Sequence, residues 1–153
     1  MSAIGKFLRR PLADKRLILE ALFFLFWSKL LIHGIPFRWL APHLGQHMVE
    51  SPRTLTLEER AVAIRVEWAV YAASEYAPMK FVCFPQAVTA KWMLRRRHLA
   101  STLYLGVALK KDDKMIAHAW LRAGDKILTG REQSFHHKMV ALFGEGGPTA
   151  AKA

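Results

Sequence analysis

The hydrophobic period of this chain changes once, near residue 100, and that change limits the fold more than any other feature. Up to Arg97 apolar residues recur at helical spacing, whereas Thr102-Leu-Tyr-Leu-Gly-Val-Ala-Leu109 and Met115 to Arg122 read as strands. Lys110 to Lys114, with Asp112-Asp113, form a polar turn. Gly124-Asp125 form a tight one, and Lys126 to Thr129 a third strand. Helices followed by strands on short turns predict an α+β fold, a helical layer packed on a small antiparallel sheet. At 153 residues, 52% of them hydrophobic, the chain is long and apolar enough for one ordinary core.

Within the helical part the most apolar segment is Leu17 to Ile32, containing the run Ala21-Leu-Phe-Phe-Leu-Phe-Trp27. Glu20, Ser28 and Lys29 interrupt it, and it falls short of the roughly 20 apolar residues of a membrane span, so a buried or membrane-skimming helix is expected. Lys6, Arg9, Arg10, Lys15 and Arg16 precede it, and no small-residue cleavage site follows, so it does not read as a secretory signal. Gly34, Pro36 and Gly45 predict a shorter helical piece, and Ser51-Pro52 a linker. Residues 1–50 are thus expected to form a basic, apolar helical segment, 51–143 the core, and 144–153 a disordered tail. Thr56 with Glu59 three residues on has the capping-box spacing and starts a helix that ends before Pro78. Leu57, Ala61, Ile64, Trp68 and Tyr71 share one of its faces.

With 23 Lys and Arg against 12 Asp and Glu, the net charge of +11 suits nucleic acid, an anionic membrane surface or an acidic partner. Aromatics sit inside apolar runs rather than among the basic clusters, which argues against nucleic acid. His43 and His47 are four apart, but Gly45 lies between them and no third ligand is evident, so neither a metal nor another cofactor is expected. His136-His137 reads as a surface pair, and Trp92, Met93 and Trp120 as packing. Arg95-Arg96-Arg97 suits a solvated helix C-terminus that could also receive an acidic leader peptide.

Cys83 is the only cysteine, so no intramolecular disulfide forms and a reducing, cytoplasmic setting is expected, with peripheral contact at the inner face of the membrane. It stands at or just before the N-terminus of the helix Gln86 to Arg97, with Pro85 in the first turn. A helix N-terminus stabilises a thiolate through its aligned N–H dipoles, and an imidazole can take the thiol proton. His118 lies mid-strand between Ala117 and Ala119, whose small side chains leave room for a helix end. A thiol nucleophile with its base is one reading of this pair. A non-catalytic basic adaptor that binds a peptide or membrane surface, with an inert packed cysteine, is the other.

Val82-Cys-Phe-Pro-Gln-Ala87, Met93-Leu-Arg-Arg-Arg97, Leu105-Gly-Val107 and Ala117-His-Ala-Trp120 together resemble the leader peptidases of lasso-peptide biosynthesis. These are the stand-alone C-terminal halves of lasso B proteins, of the type that processes microcin J25, with a transglutaminase-like core; the likeness runs from Leu17 to about Gly130. The resemblance implies a cysteine peptidase that removes the leader from a ribosomally made precursor. Cys83 would be its nucleophile and His118 its base. It also implies a separate leader-recognition protein and a lasso cyclase as partners.

The third residue departs from the pattern. The chain has no asparagine, and Gly130 stands where relatives carry an aspartate twelve positions after the histidine. Asp125, at the hairpin tip, would lie about 20 Å from His118 at strand rise. Glu132, with the strand parity of position 130, is one candidate to orient His118. A backbone carbonyl or water is the other.

Overall fold

A computed structural model describes residues 2–134 and 137–145. Helix α1 (Ala3–Leu8) leads into α2 (Leu12–Gly34), followed by the short α3 (Phe37–Leu40), a 3₁₀ turn (Ala41–Leu44) and strand β1 (Gln46–His47). Then come α4 (Leu57–Tyr76), α5 (Cys83–Arg96), β2 (Thr102–Leu109), β3 (Met115–Ala123), β4 (Lys126–Thr129), α6 (Arg131–Ser134) and β5 (Lys138–Gly144). The sheet is antiparallel throughout, in the order β1-β5-β2-β3-β4. The α+β class expected from the change of period is the one observed.

Helix α2 is longer than the apolar run that marks it, because the polar residues that interrupt the run are each accommodated. Ser28 donates from Oγ to the Leu25 carbonyl at 3.0 Å within its own helix. Glu20 accepts from Arg97 at 2.7 Å and pairs with Arg96 at 3.0 Å. Lys29 places its ammonium 5.5 Å from the centre of the Phe81 ring. By length and composition α2 could cross a membrane. Here Ile18, Ala21, Leu25 and Ser28 are buried in a core shared with α4, α5 and the sheet.

Helix α4 starts as expected: Thr56 Oγ1 accepts from the Glu59 N–H and a Glu59 carboxylate oxygen accepts from the Thr56 N–H. Its buried face is not the expected one. Ala63, Val66, Ala69, Val70 and Ala73 face the core, while Leu57, Ile64 and Tyr71 are exposed. The small residues let α4 approach α2 and α5 closely, and that closeness outweighs the larger apolar side chains of the other stripe.

Helix α5 lies at the centre and is buried on most sides, from Ala87 through Leu94. It packs on the sheet face formed by Leu103, Leu105, Ala119, Leu121 and Phe143. Its C-terminal arginines are not a free cationic end. Arg97 and Arg96 hold Glu20, and Arg95 holds Glu145 at 2.9 Å, so the expected landing place for an acidic leader is already occupied by the protein's own carboxylates. Lys91, fully buried, pairs with Glu145 at 2.8 Å and donates to the Ser101 carbonyl at 2.8 Å.

Strand β5 had no clear signal in the sequence, yet it pairs with both β1 and β2. Gly144, expected to open the tail, ends this strand, and Glu145 is fixed by Lys91 and Arg95. The rest of the tail lies outside the described residues.

Candidate active site

Cys83 is the first residue of α5, half-buried, with Val82 as the N-cap. No side chain caps this end, Pro85 has no N–H, and the Gln86 N–H is bonded to the Val82 carbonyl. The backbone N–H groups of Cys83 and Phe84 are therefore the donors left for an incoming oxyanion.

His118 lies in β3 opposite Gly106 of β2. Strand β4 pairs with Leu121 to Ala123, and among the described residues no strand pairs with Met115 to Trp120 on that side. Alternation puts His118 with Trp120 on the sheet face opposite α5, the two rings 6.1 Å apart and nearly parallel. Gly106 makes that arrangement fit, because a Cβ there would lie 2.7 Å from the Trp120 ring. Cys83 and His118 together line two cavities, although among the described residues no hydrogen bond joins them.

The imidazole is oriented by backbone. His118 Nε2 lies 3.2 Å from the Gly130 carbonyl oxygen, which can only accept, so Nε2 carries the proton and Nδ1 is the basic atom. Gly130 has φ +71°, and a Cβ at that position would stand 2.8 Å from His118 Nε2 and 2.6 Å from the Ala119 carbonyl oxygen. The backbone therefore turns through the place where an aspartate side chain would begin. Glu132 fails the premise on which it was chosen. Strand β4 stops at Thr129 and residues 131–134 are helical, so strand parity does not extend to it. Its side chain lies outside the described part of the structure. Asp125, at the hairpin tip, pairs with Arg60 at 3.5 Å.

Burial, at 6% exposure, is the main cause that pushes the His118 pKa below its ordinary value. The bond to the Gly130 carbonyl opposes the shift, and the neighbouring His137 adds to it. The His137 ring lies 5.1 Å from that of His118. It is part of the site, not of a surface pair as the sequence suggested. His136 lies outside the described residues.

Tyr71, Glu67 and Gln86 also reach this region, lining with Cys83 and His118 a cavity of about 460 Å³. The spacing of Glu67 and Tyr71, four apart on α4, and of Gln86, three after Cys83 on α5, is the signal that could have flagged them. Of the histidines considered for a metal, His43 lends its carbonyl to Trp92 and Arg95, and the His47 ring packs on Phe143.

Residues 31–140, most of this architecture, match a family profile described as the core of the transglutaminase-like superfamily. The chain belongs to the transglutaminase-like superfamily. No curated protein and no solved structure matches it. The superfamily includes cysteine peptidases and transglutaminases, whose shared chemistry is thiol attack on an amide carbonyl.

Proposed function

We propose that Cys83 and His118 are a catalytic pair, and that the protein is a cysteine peptidase removing the leader from a lasso-peptide precursor. The observation that carries this reading is the oriented imidazole: Nε2 is held by the Gly130 carbonyl at 3.2 Å, leaving Nδ1 as a base beside the cavities that Cys83 lines.

In this reading the thiol proton passes to Nδ1 as sulfur attacks the carbonyl carbon of the last leader residue. The resulting oxyanion accepts from the N–H groups of Cys83 and Phe84. The imidazolium then protonates the departing amine, leaving a thioester on Cys83. Water, giving its proton to the neutral imidazole, cleaves the thioester and frees the leader acid. Burial lowers the His118 pKa and so favours the neutral imidazole, the form that can act as general base at each attack. The freed amine would pass to the cyclase, and a separate recognition protein would deliver the leader.

The test is cleavage of the precursor, followed by mass spectrometry, with purified protein and its recognition partner. Cys83→Ala and His118→Ala should each abolish it. Cleavage at the wild-type rate by either variant would sink the catalytic reading.

One observation favours the second reading, a non-catalytic adaptor on a membrane surface. Leu12, Leu19, Phe23, Phe26, Trp27 and Leu30 form an outward stripe on α2, each at least 41% exposed, with Arg16 among them. Co-sedimentation with anionic vesicles, lost in Phe23→Ser/Leu30→Ser, together with full function of Cys83→Ala in producing cells, would favour that reading.

A further inference from the structure

The two cavities beside Cys83 and His118 share only those two residues and differ in chemistry. The larger has Glu67, Gln86 and Arg131 in its wall. The smaller, about 310 Å³, is lined by apolar side chains and glycine apart from Cys83 and His118 themselves. Its wall is assembled from across the chain, with Phe37 from α3, Phe84 from α5, Val107 from β2, Ala117 from β3 and Val140 from β5.

Two features show that this wall is built rather than left over from packing. The first is a β-bulge. Leu105 pairs with Ala141 and Gly106 with Met139, so Val140 is the extra residue between them, and its side chain joins the cavity wall. Bulges beside functional sites re-aim a side chain in this way. The second is the aromatic pair Phe37 and Phe84, with ring centres 6.3 Å apart. Phe37 also packs edge-on against Phe143 at 5.9 Å, although it remains 43% exposed. Val140 is 55% exposed, and the cavity is open to solvent. An apolar hollow of this kind holds water poorly and gains free energy when an apolar group replaces it.

We propose that this cavity takes one large apolar side chain of the substrate, Leu, Ile, Met or Phe, lying within two residues of the attacked carbonyl. That reach follows from the geometry, since the cavity is lined by the nucleophile itself and an extended peptide advances about 3.3 Å per residue. The larger, polar cavity then receives the chain on the other side of the bond. The assignment rests on Cys83 as the attacking group, and its test is separable from peptidase activity.

The test uses the single thiol of the intact chain. Cys83 is alkylated by two chloroacetamides, one N-(2-phenylethyl) and one N-(2-hydroxyethyl). In each case sulfur displaces chloride, and the thiol proton goes to the imidazole or to solvent. Intact-mass spectrometry follows the rates, normalised to those of glutathione. The phenylethyl reagent is expected to react at least about tenfold faster than its hydroxyethyl counterpart. Val140→Glu, at an exposed side chain of the cavity wall, should remove that preference, read as the ratio of the two reagents' rates within the variant. Phe37→Ala should reduce the preference and serves if Val140→Glu does not fold. Equal normalised rates in the wild type, or no labelling by either reagent, overturn the proposal. Selective labelling by a protein that cleaves no precursor would keep the cavity assignment and reject the peptidase.

Discussion

The two ends of α5 are made of similar material and are used in opposite ways. At the C-terminal end every long cation is committed: Lys91 and Arg95 to Glu145, Arg96 and Arg97 to Glu20. These pairs tie the helix to α2 and to the end of β5. At the N-terminal end, among the described residues, Cys83 makes no such bond, the N–H groups of Cys83 and Phe84 have no helical partner, and two cavities open beside it. One helix therefore carries both the anchor and the proposed nucleophile. The anchored end holds the free end in place, which is how a site can stay unpaired without collapsing.

The sharpest break in this comparison is Cys83→Ala. Proposed cleavage should fall by roughly a thousandfold or more, since a nucleophile has no substitute. Stability should change by less than about 1 kcal/mol, because the half-buried thiol anchors no network. A chemical-denaturation curve beside the cleavage assay checks both halves, and a large loss of stability would contradict the division of roles.

The opposite end should respond in the opposite sense. Glu145→Gln leaves the buried Lys91 ammonium without its counter-charge and should cost about 3–5 kcal/mol by denaturant unfolding. Lys91→Met removes the buried charge itself and should cost much less. Burial is the main cause that lowers the Lys91 pKa to about 8 from 10.5. Between those values the unfolded chain binds more protons than the folded one, so this group makes stability rise with pH across that window. If Lys91→Met proved as costly as Glu145→Gln, the anchor would lie in packing rather than in charge.

Gly130→Ala comes next in size. Its positive φ alone costs an L-residue about 1–2 kcal/mol, and the added methyl meets the Ala119 carbonyl. Activity should fall further than stability, because the same carbonyl orients His118. Gly130→Asp should not improve on it, and a gain of activity there would show that this backbone can give way to a side-chain orienter.

The smallest effect is on pH. The acid limb of kcat/KM should lie below the ordinary histidine value of about 6.5, because burial favours neutral His118. The same shift makes the group's stability contribution complete above that value and lost as pH falls below it. His137→Ala removes the neighbour whose electrostatic effect lowers the His118 pKa and should move the limb upward. An unchanged limb would mean that His137 only packs against His118.

Much of this was legible in local sequence. Thr56 with Glu59, Pro85 behind Cys83, the three strands after residue 100 and the turn at Gly124 are short-range signals, each set by backbone chemistry within a few residues. The buried face of α4 was not legible, since two stripes of that helix are apolar and only the approach of α2 and α5 chose the one with small residues. Strand β5 and the bulge at Val140 were missed because strand pairing is a long-range property.

The site divides in the same way. Sequence alone determined that the chain has one thiol, that it stands at or just before the start of a helix, and that His118 lies on a strand between alanines. The tertiary structure decided what surrounds them. It brought His137 onto His118, put the Gly130 carbonyl in place of an acidic side chain, and shaped one apolar and one polar cavity around Cys83. Those outcomes depend on where β4 stops and how far α5 extends across the sheet. They are set by packing between distant segments, which no window of a few residues contains.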